Sequence, residues 1–300
     1  MLDERQKLNK ARHTLKLLSI SALVTIVLIQ LIAPALMAQA VTAPLKSHLC
    51  CETPAKFGAE FADIQFLSSD GLKLSGWYIP PQNGAVIILM HSYYSDRRQT
   101  LPVAEMLHRH GYGVLMYDQR ASGESEGNVR SLGALDIPDL KRATDWLLAQ
   151  QKGVQIGAYG CSMGGAISLA GAVGNPSISA LAVDAPSPLR WFENMPAFSL
   201  SDPFSLPTMA LYYSFVMLRT GSHSPAGTLE NAGHYAGRPI LFISTGNGAE
   251  YSGVSAYFNA AGEPKTHWNI PDASHCSGAS THPKEYEQHL IDFYNSSLLK

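Results

Sequence analysis

The sequence predicts an α/β fold with a mostly parallel central sheet, helices on both faces, a helical lid insertion and one N-terminal transmembrane helix. Three observations predict it. Short β-rich segments alternate with helical ones from about residue 57 to the end, which implies parallel strands joined by crossover helices. The strand-like run Val154 to Tyr159 leads into Gly160-Cys161-Ser162-Met163-Gly164, a Gly-x-Ser-x-Gly elbow followed by the small-residue run Gly165 to Val173. Leu17 to Ala38 carries no charge over 22 residues, enough to span a bilayer at about 1.5 Å per residue.

The N-terminal segment divides into a basic flank and an apolar core. Arg5, Lys7, Lys10, Arg12 and Lys16 precede the core, against only Asp3 and Glu4. A secretory signal has a shorter apolar core of about 7–15 residues, so residues 1–40 read as an uncleaved signal anchor spanning about 17–38. Ala38-Gln39-Ala40 matches a small-residue cleavage site, which keeps secretion after cleavage near Ala40 as the alternative. The basic flank orients the N-terminus to the cytoplasm and the rest outside. Residues 41–56, with Pro44 and Pro54, read as a linker, and 57–300 as the catalytic domain.

Composition bounds the function. The 300 residues are 46% hydrophobic and 15% charged, with a net charge of −2. No basic stripe appears in the globular part, which argues against a nucleic-acid partner. No repeat or low-complexity tract occurs. The four cysteines, Cys50, Cys51, Cys161 and Cys276, show no Cys-x-x-Cys spacing and therefore no metal site. An exported domain is permissive for disulfides, but the adjacent pair Cys50-Cys51 does not make a framework.

Along the domain, Phe61–Leu67 and Leu72–Ile79 read as strands joined at Ser69-Asp70-Gly71, giving an antiparallel edge. Ala85–Met90 is continuously apolar, as a strand buried on both faces should be. Then follow helix 100–109, strand 113–117, helix 135–151, the elbow, and strands 179–183, 240–244 and 266–270. The closing helix is 283–298. Residues 185–238 break the alternation with Pro186, Pro188, Pro196, Pro203 and Pro207, then the apolar run Met209–Leu218. A long insertion after a strand's carboxyl end reads as a lid, and its apolar character suggests an acyl group beneath it.

The elbow makes Ser162 the candidate nucleophile. A serine hydroxyl needs a histidine to take its proton and an acid to orient that histidine. His275, in Pro271-Asp272-Ala273-Ser274-His275 between the last strand and the final helix, is the candidate base. His267, in a strand, and His282, at a helix start, read as structural. The acid belongs in the loop after strand 240–244. That loop holds no Asp, and Glu250 is its one carboxylate in reach. Asp184, at the end of the strand after the elbow helix, is the alternative acid. Asp272 lies too close to His275 in sequence. The tetrahedral intermediate needs two N–H donors, assigned to Met163 and Tyr93. The rings of Tyr93 and Tyr94 are expected to line the acyl pocket, and His91 to shape its loop. No cofactor and no metal are called for.

With these pieces placed, the chain resembles the α/β-hydrolase superfamily, most closely its bacterial esterase-like branch with a short N-terminal membrane segment. The resemblance covers about residues 57–300. It rests on Ser69 to Tyr78, the His91 loop, Tyr117-Asp118-Gln119-Arg120-Ala121-Ser122-Gly123-Glu124-Ser125, the Ser162 elbow and the His275 loop. It implies that Asp118 and Arg120 belong to a structural turn beside the site. Two departures stand out. Ser92 replaces the glycine that usually follows the oxyanion-loop histidine, and the usual Asp after the penultimate strand is missing.

The expected function is hydrolysis of carboxylic esters, small or lipid, through an acyl-enzyme on Ser162, in the carboxylesterase/lipase class. The alternatives are a serine peptidase or amidase of the same fold, and a membrane-tethered binding protein with weakened catalysis.

Overall fold

In the computed structural model, residues 2–49, 51–190, 193 and 205–299 are described. Cys50 and part of the expected lid lie outside them. Ten strands and nine α-helices are found among the described residues.

Helix α1, Leu2–Thr42, is long and apolar enough to cross a membrane, and protein covers almost none of its apolar window. Such a helix near the N-terminus has the composition of both an anchor and a signal sequence. It runs past Ala38 to Thr42, after which β1 (Leu45–Lys46) pairs with β6 (Ser122–Gly123). The chain after α1 is therefore laid onto the domain surface.

The domain is built on β2 (Ala62–Leu67), β3 (Lys73–Ile79), β4 (Ala85–Met90), β5 (Gly113–Tyr117), β7 (Gln155–Cys161), β8 (Ile178–Asp184), β9 (Ile240–Thr245) and β10 (Lys265–Ile270). These form one sheet in the order β10-β9-β8-β7-β4-β5-β3-β2. All pairings are parallel except β3 with β5 and β2 with β3. This is the fold the sequence predicts, antiparallel edge included.

Strand β4 shows why the sheet is covered on both sides. All six of its residues are buried. Ile87 and Leu89 join one core with α2 (Leu101–Arg109) and α9 (Pro283–Leu298), while Val86, Ile88 and Met90 join the other. That second core holds α3 (Asp136–Gln150), α4 (Met163–Val173), α6 (Thr228–His234) and α7 (Ala249–Ala260). Each buried Ile or Leu contributes about 1.5–3 kcal/mol, and a continuously apolar strand draws on both layers.

Strand and helix bounds differ from the sequence reading by one or two residues. Several elements were not anticipated: β1 and β6, the short helix Gly278–Thr281, α7, which begins inside the expected loop 245–250, and α6, which the insertion carries as well as α5 (Ser205–Thr220) with its apolar run 209–218.

Candidate active site

The elbow joins β7 to α4. Ser162 has φ 55° and ψ −119°, a strained conformation for a residue with a Cβ. Glycine is required on both sides. A Cβ on Gly160 would lie 2.2 Å from the Gly164 carbonyl oxygen, and one on Gly164 would lie 2.4 Å from the Met90 carbonyl oxygen. The first turn of α4 thus abuts the end of β4 and the His91 loop. Met163 opens α4, where the first N–H groups have no intrahelical acceptor.

Three sequence-predicted residues come together here. His275 Nε2 lies 2.9 Å from Ser162 Oγ, and His275 Nδ1 lies 2.6 Å from a Glu250 carboxylate oxygen. The carboxylate fixes the tautomer: Nδ1–H donates to Glu250, which leaves Nε2 to accept from the serine hydroxyl. Glu250 sits in the first turn of α7, not in a loop. There the positive end of the helix dipole favours its charge. Its other oxygen accepts from the Thr245 N–H at 2.8 Å and from the Thr245 hydroxyl. Both carboxylate oxygens are therefore occupied and the side chain is held in one orientation.

Asp184 is placed differently. It is fully buried, and its Oδ2 accepts from the Tyr286 hydroxyl at 2.8 Å, with the Tyr159 hydroxyl at 3.4 Å. Burial, opposed by the Tyr286 hydrogen bond, pushes its pKa up to about 6. The histidine it was a candidate to serve is bonded to Glu250. Its backbone carbonyl accepts from the Ser162 N–H at 2.8 Å, so Asp184 props the elbow from below. Asp272 bonds His282 at 2.9 Å.

Two features were not read from the sequence. Cys161 and Cys276 form a disulfide, with Cα atoms 6.0 Å apart. It joins the residue before Ser162 to the residue after His275. Ser187, in the turn after β8, places its hydroxyl 2.9 Å from Ser162 Oγ, and its N–H donates to the Ser162 carbonyl at 3.1 Å. With Ser162 donating to His275, Ser187 is the donor to Ser162. The run Pro186-Ser187-Pro188 gave no periodic or motif signal for that role.

The loop after β4 is shaped by His91. This buried ring accepts from the Gln119 N–H at 3.0 Å and donates to the Ser92 carbonyl at 2.8 Å. Burial lowers its pKa and keeps it neutral. The Tyr93 ring does not line the cleft beside His275, which is formed by Ala185 to Pro188, Glu250, Val254 and Tyr257 and holds about 190 Å³. It turns to the end of α1, where its hydroxyl donates to the Val41 carbonyl at 2.6 Å, with Arg130 over its face. Asp118 accepts from the N–H groups of Arg97 and Glu124, and Arg120 bridges Asp70 and Asp139. Both are structural, as the resemblance implied. Among the described residues no cluster of His, Cys, Asp and Glu could hold a metal ion.

An eight-stranded, mostly parallel sheet with a strained serine elbow defines the class, and comparison with known proteins agrees. Residues 70–197 match the model of the X-Pro dipeptidyl-peptidase (S15) family, less than half of the chain. The thiohydrolase aneE of Aspergillus aculeatus is 32% identical over 122 residues, which is 37% of each chain. The chain thus spans well under half the length of the curated relatives it matches. An esterase of Pyrococcus furiosus aligns with a TM-score of 0.68 at 25% identity, over 85% of this chain and 98% of that one. A dienelactone hydrolase of Anabaena variabilis aligns with a TM-score of 0.59 at 18% identity, over 80% of this chain and 99% of that one. The chain has the α/β-hydrolase fold and resembles that superfamily in sequence.

Proposed function

We propose that this protein is a serine hydrolase of carboxylic esters, anchored by α1 with its catalytic domain outside the cytoplasm. The observation that carries the reading is the unbroken hydrogen-bond chain from Ser162 through His275 to Glu250. Ser162 Oγ attacks the ester carbonyl while His275 Nε2 takes its proton. Glu250 stabilises the resulting imidazolium. The oxyanion is bound by the N–H groups of Met163 and Tyr93. His275 returns the proton to the departing alcohol, and the acyl group stays on Ser162. Water, deprotonated by the same histidine, then releases the acid.

The disulfide supports an exported domain, since such bonds persist in oxidising compartments. The basic residues Arg5 to Lys16 in the first part of α1 support a cytoplasmic N-terminus.

A panel of p-nitrophenyl esters of increasing acyl length, assayed with the full chain, tests the reading. Ser162→Ala and His275→Ala are expected to lose activity by about three orders of magnitude or more. Activity that persists in Ser162→Ala would contradict it. The S15 match favours a second reading, a serine peptidase or amidase. Cleavage of an X-Pro p-nitroanilide at a rate exceeding that of every ester would establish that reading instead.

A further inference from the structure

Helix α5 is an apolar helix laid along α1. The two run parallel: the Thr208 hydroxyl meets Gln30, and Arg219 Nε donates to the Thr42 hydroxyl at 2.8 Å. Between those two points α1 presents Pro34, Ala38 and Thr42 as its buried stripe, small enough for close helix packing. The one charged residue of α5 is Arg219, in its last turn. Its outward residues Ala210, Ser214 and Leu218 are exposed, Leu218 at 78%.

The depth follows from α1. With Lys16 at the inner boundary, a hydrocarbon core of about 30 Å takes about 20 residues and ends near residue 36. Gln30 then lies roughly 9 Å inside the outer boundary and Thr42 roughly 9 Å beyond it. Around Val41 and Thr42 gather Tyr93, Arg130 and Arg219, with Tyr94 packed edge-on against Tyr93. Of these, Tyr94 and Arg219 are exposed, and an exposed aromatic ring at that level suits the belt found where a membrane protein meets the headgroups.

We infer that α5 lies in the outer leaflet beside α1 and seats the active site on the bilayer surface, so that the cleft takes acyl esters of membrane lipids directly from the leaflet. The lipid surface is the partner, chosen because α5 continues the apolar face of a helix that itself spans the membrane. The loop of Tyr93 is tied to Val41, so the candidate oxyanion loop and the membrane boundary are fixed together. The substrate class rests on the ester-hydrolase reading; the position of α5 does not.

The test uses the full chain reconstituted into vesicles of phosphatidylcholine and phosphatidylglycerol. An environment-sensitive fluorescent amino acid replaces Ser214 or, as an aqueous control, the exposed Lys284 on α9. Lipids carrying a nitroxide high on the acyl chain are expected to quench the probe at 214, level with residue 36 of α1 at the hydrocarbon boundary, by more than about half, and to spare the probe at 284. Aqueous emission and no quenching at 214 would overturn the proposal. In parallel, the double variant Ala210→Asp, Ser214→Asp is expected to slow hydrolysis of a long-chain ester embedded in the vesicle by about tenfold, because charge is costly at that depth. Its rate on a soluble acetate ester should stay within about twofold of wild type. Equal rates on both substrates, with the soluble activity intact, would also overturn it. If the wild type hydrolyses neither ester, the hydrolase reading fails, and the probe at 214 still decides where α5 lies.

Discussion

Cys161 and Cys276, 115 residues apart in sequence, are bonded to each other directly beside Ser162 and His275. The strand end that carries the nucleophile and the loop that carries its base are thereby one covalent unit. His275 is half-exposed, with 53% of its side chain accessible.

The first prediction concerns that bond. Cross-linking a loop of this length removes about 4–5 kcal/mol of chain entropy from the unfolded state, and losing it costs about 2–5 kcal/mol. The double variant Cys161→Ser, Cys276→Ser should melt at lower temperature. Where it remains folded, its kcat should fall by about ten- to hundredfold, as for a small misplacement of a base, with KM little changed. Thermal unfolding and steady-state kinetics with and without dithiothreitol check this. Folded enzyme with unaltered kcat after reduction would show that the bond serves stability alone.

The second prediction separates the two candidate acids. Glu250→Gln should lower kcat by about 10³–10⁴-fold, since the amide no longer selects the reactive tautomer. Asp184→Asn should leave kcat within about tenfold, since its partner is Tyr286. Parallel assays decide, and the reverse ranking would move the acid to Asp184.

The third prediction follows from the buried Asp184 and its pKa near 6. A carboxyl group raised in the folded state binds its proton more tightly there than in the unfolded chain. Its contribution is therefore fully present below the unfolded value near 4 and is lost as pH rises through about 6. Asp184→Asn abolishes this slope. Wild type should lose up to about 3 kcal/mol relative to the variant between pH 4 and pH 7, at 1.36 kcal/mol per unit. Urea titrations across that window measure it; parallel stability curves for the two proteins would contradict it.

The fourth prediction concerns Ser187. Its hydroxyl donates to Ser162 Oγ and helps hold the rotamer that faces His275. Ser187→Ala should reduce kcat by about two- to tenfold, the worth of one neutral hydrogen bond, and Ser187→Thr should recover part of it. A thousandfold loss would instead place Ser187 in the chemical step.

What the sequence revealed follows the range of the forces involved. Strand β4 was legible because six consecutive apolar residues need two covered faces. The elbow was legible because its two glycines answer clashes within five residues of chain. Glu250 emerged by elimination from a loop without Asp, although the helix that carries it did not: Ala249–Ala260 has Gly253 near its centre, which weakens local helix propensity. The disulfide, the Ser187 contact and the pairing of α1 with α5 were hidden for one reason. Each joins segments far apart in the chain that meet only once the sheet order is known, and no local propensity records such a meeting.

The most direct test of the central claim, a serine activated by His275 and Glu250, is labelling of the full chain with a fluorophosphonate probe and mapping of the adduct by mass spectrometry. The account predicts one adduct, on Ser162, absent in Ser162→Ala and slowed by at least about a hundredfold in His275→Ala and Glu250→Gln. Folded wild type that takes no label, or label that survives in Ser162→Ala, would contradict it.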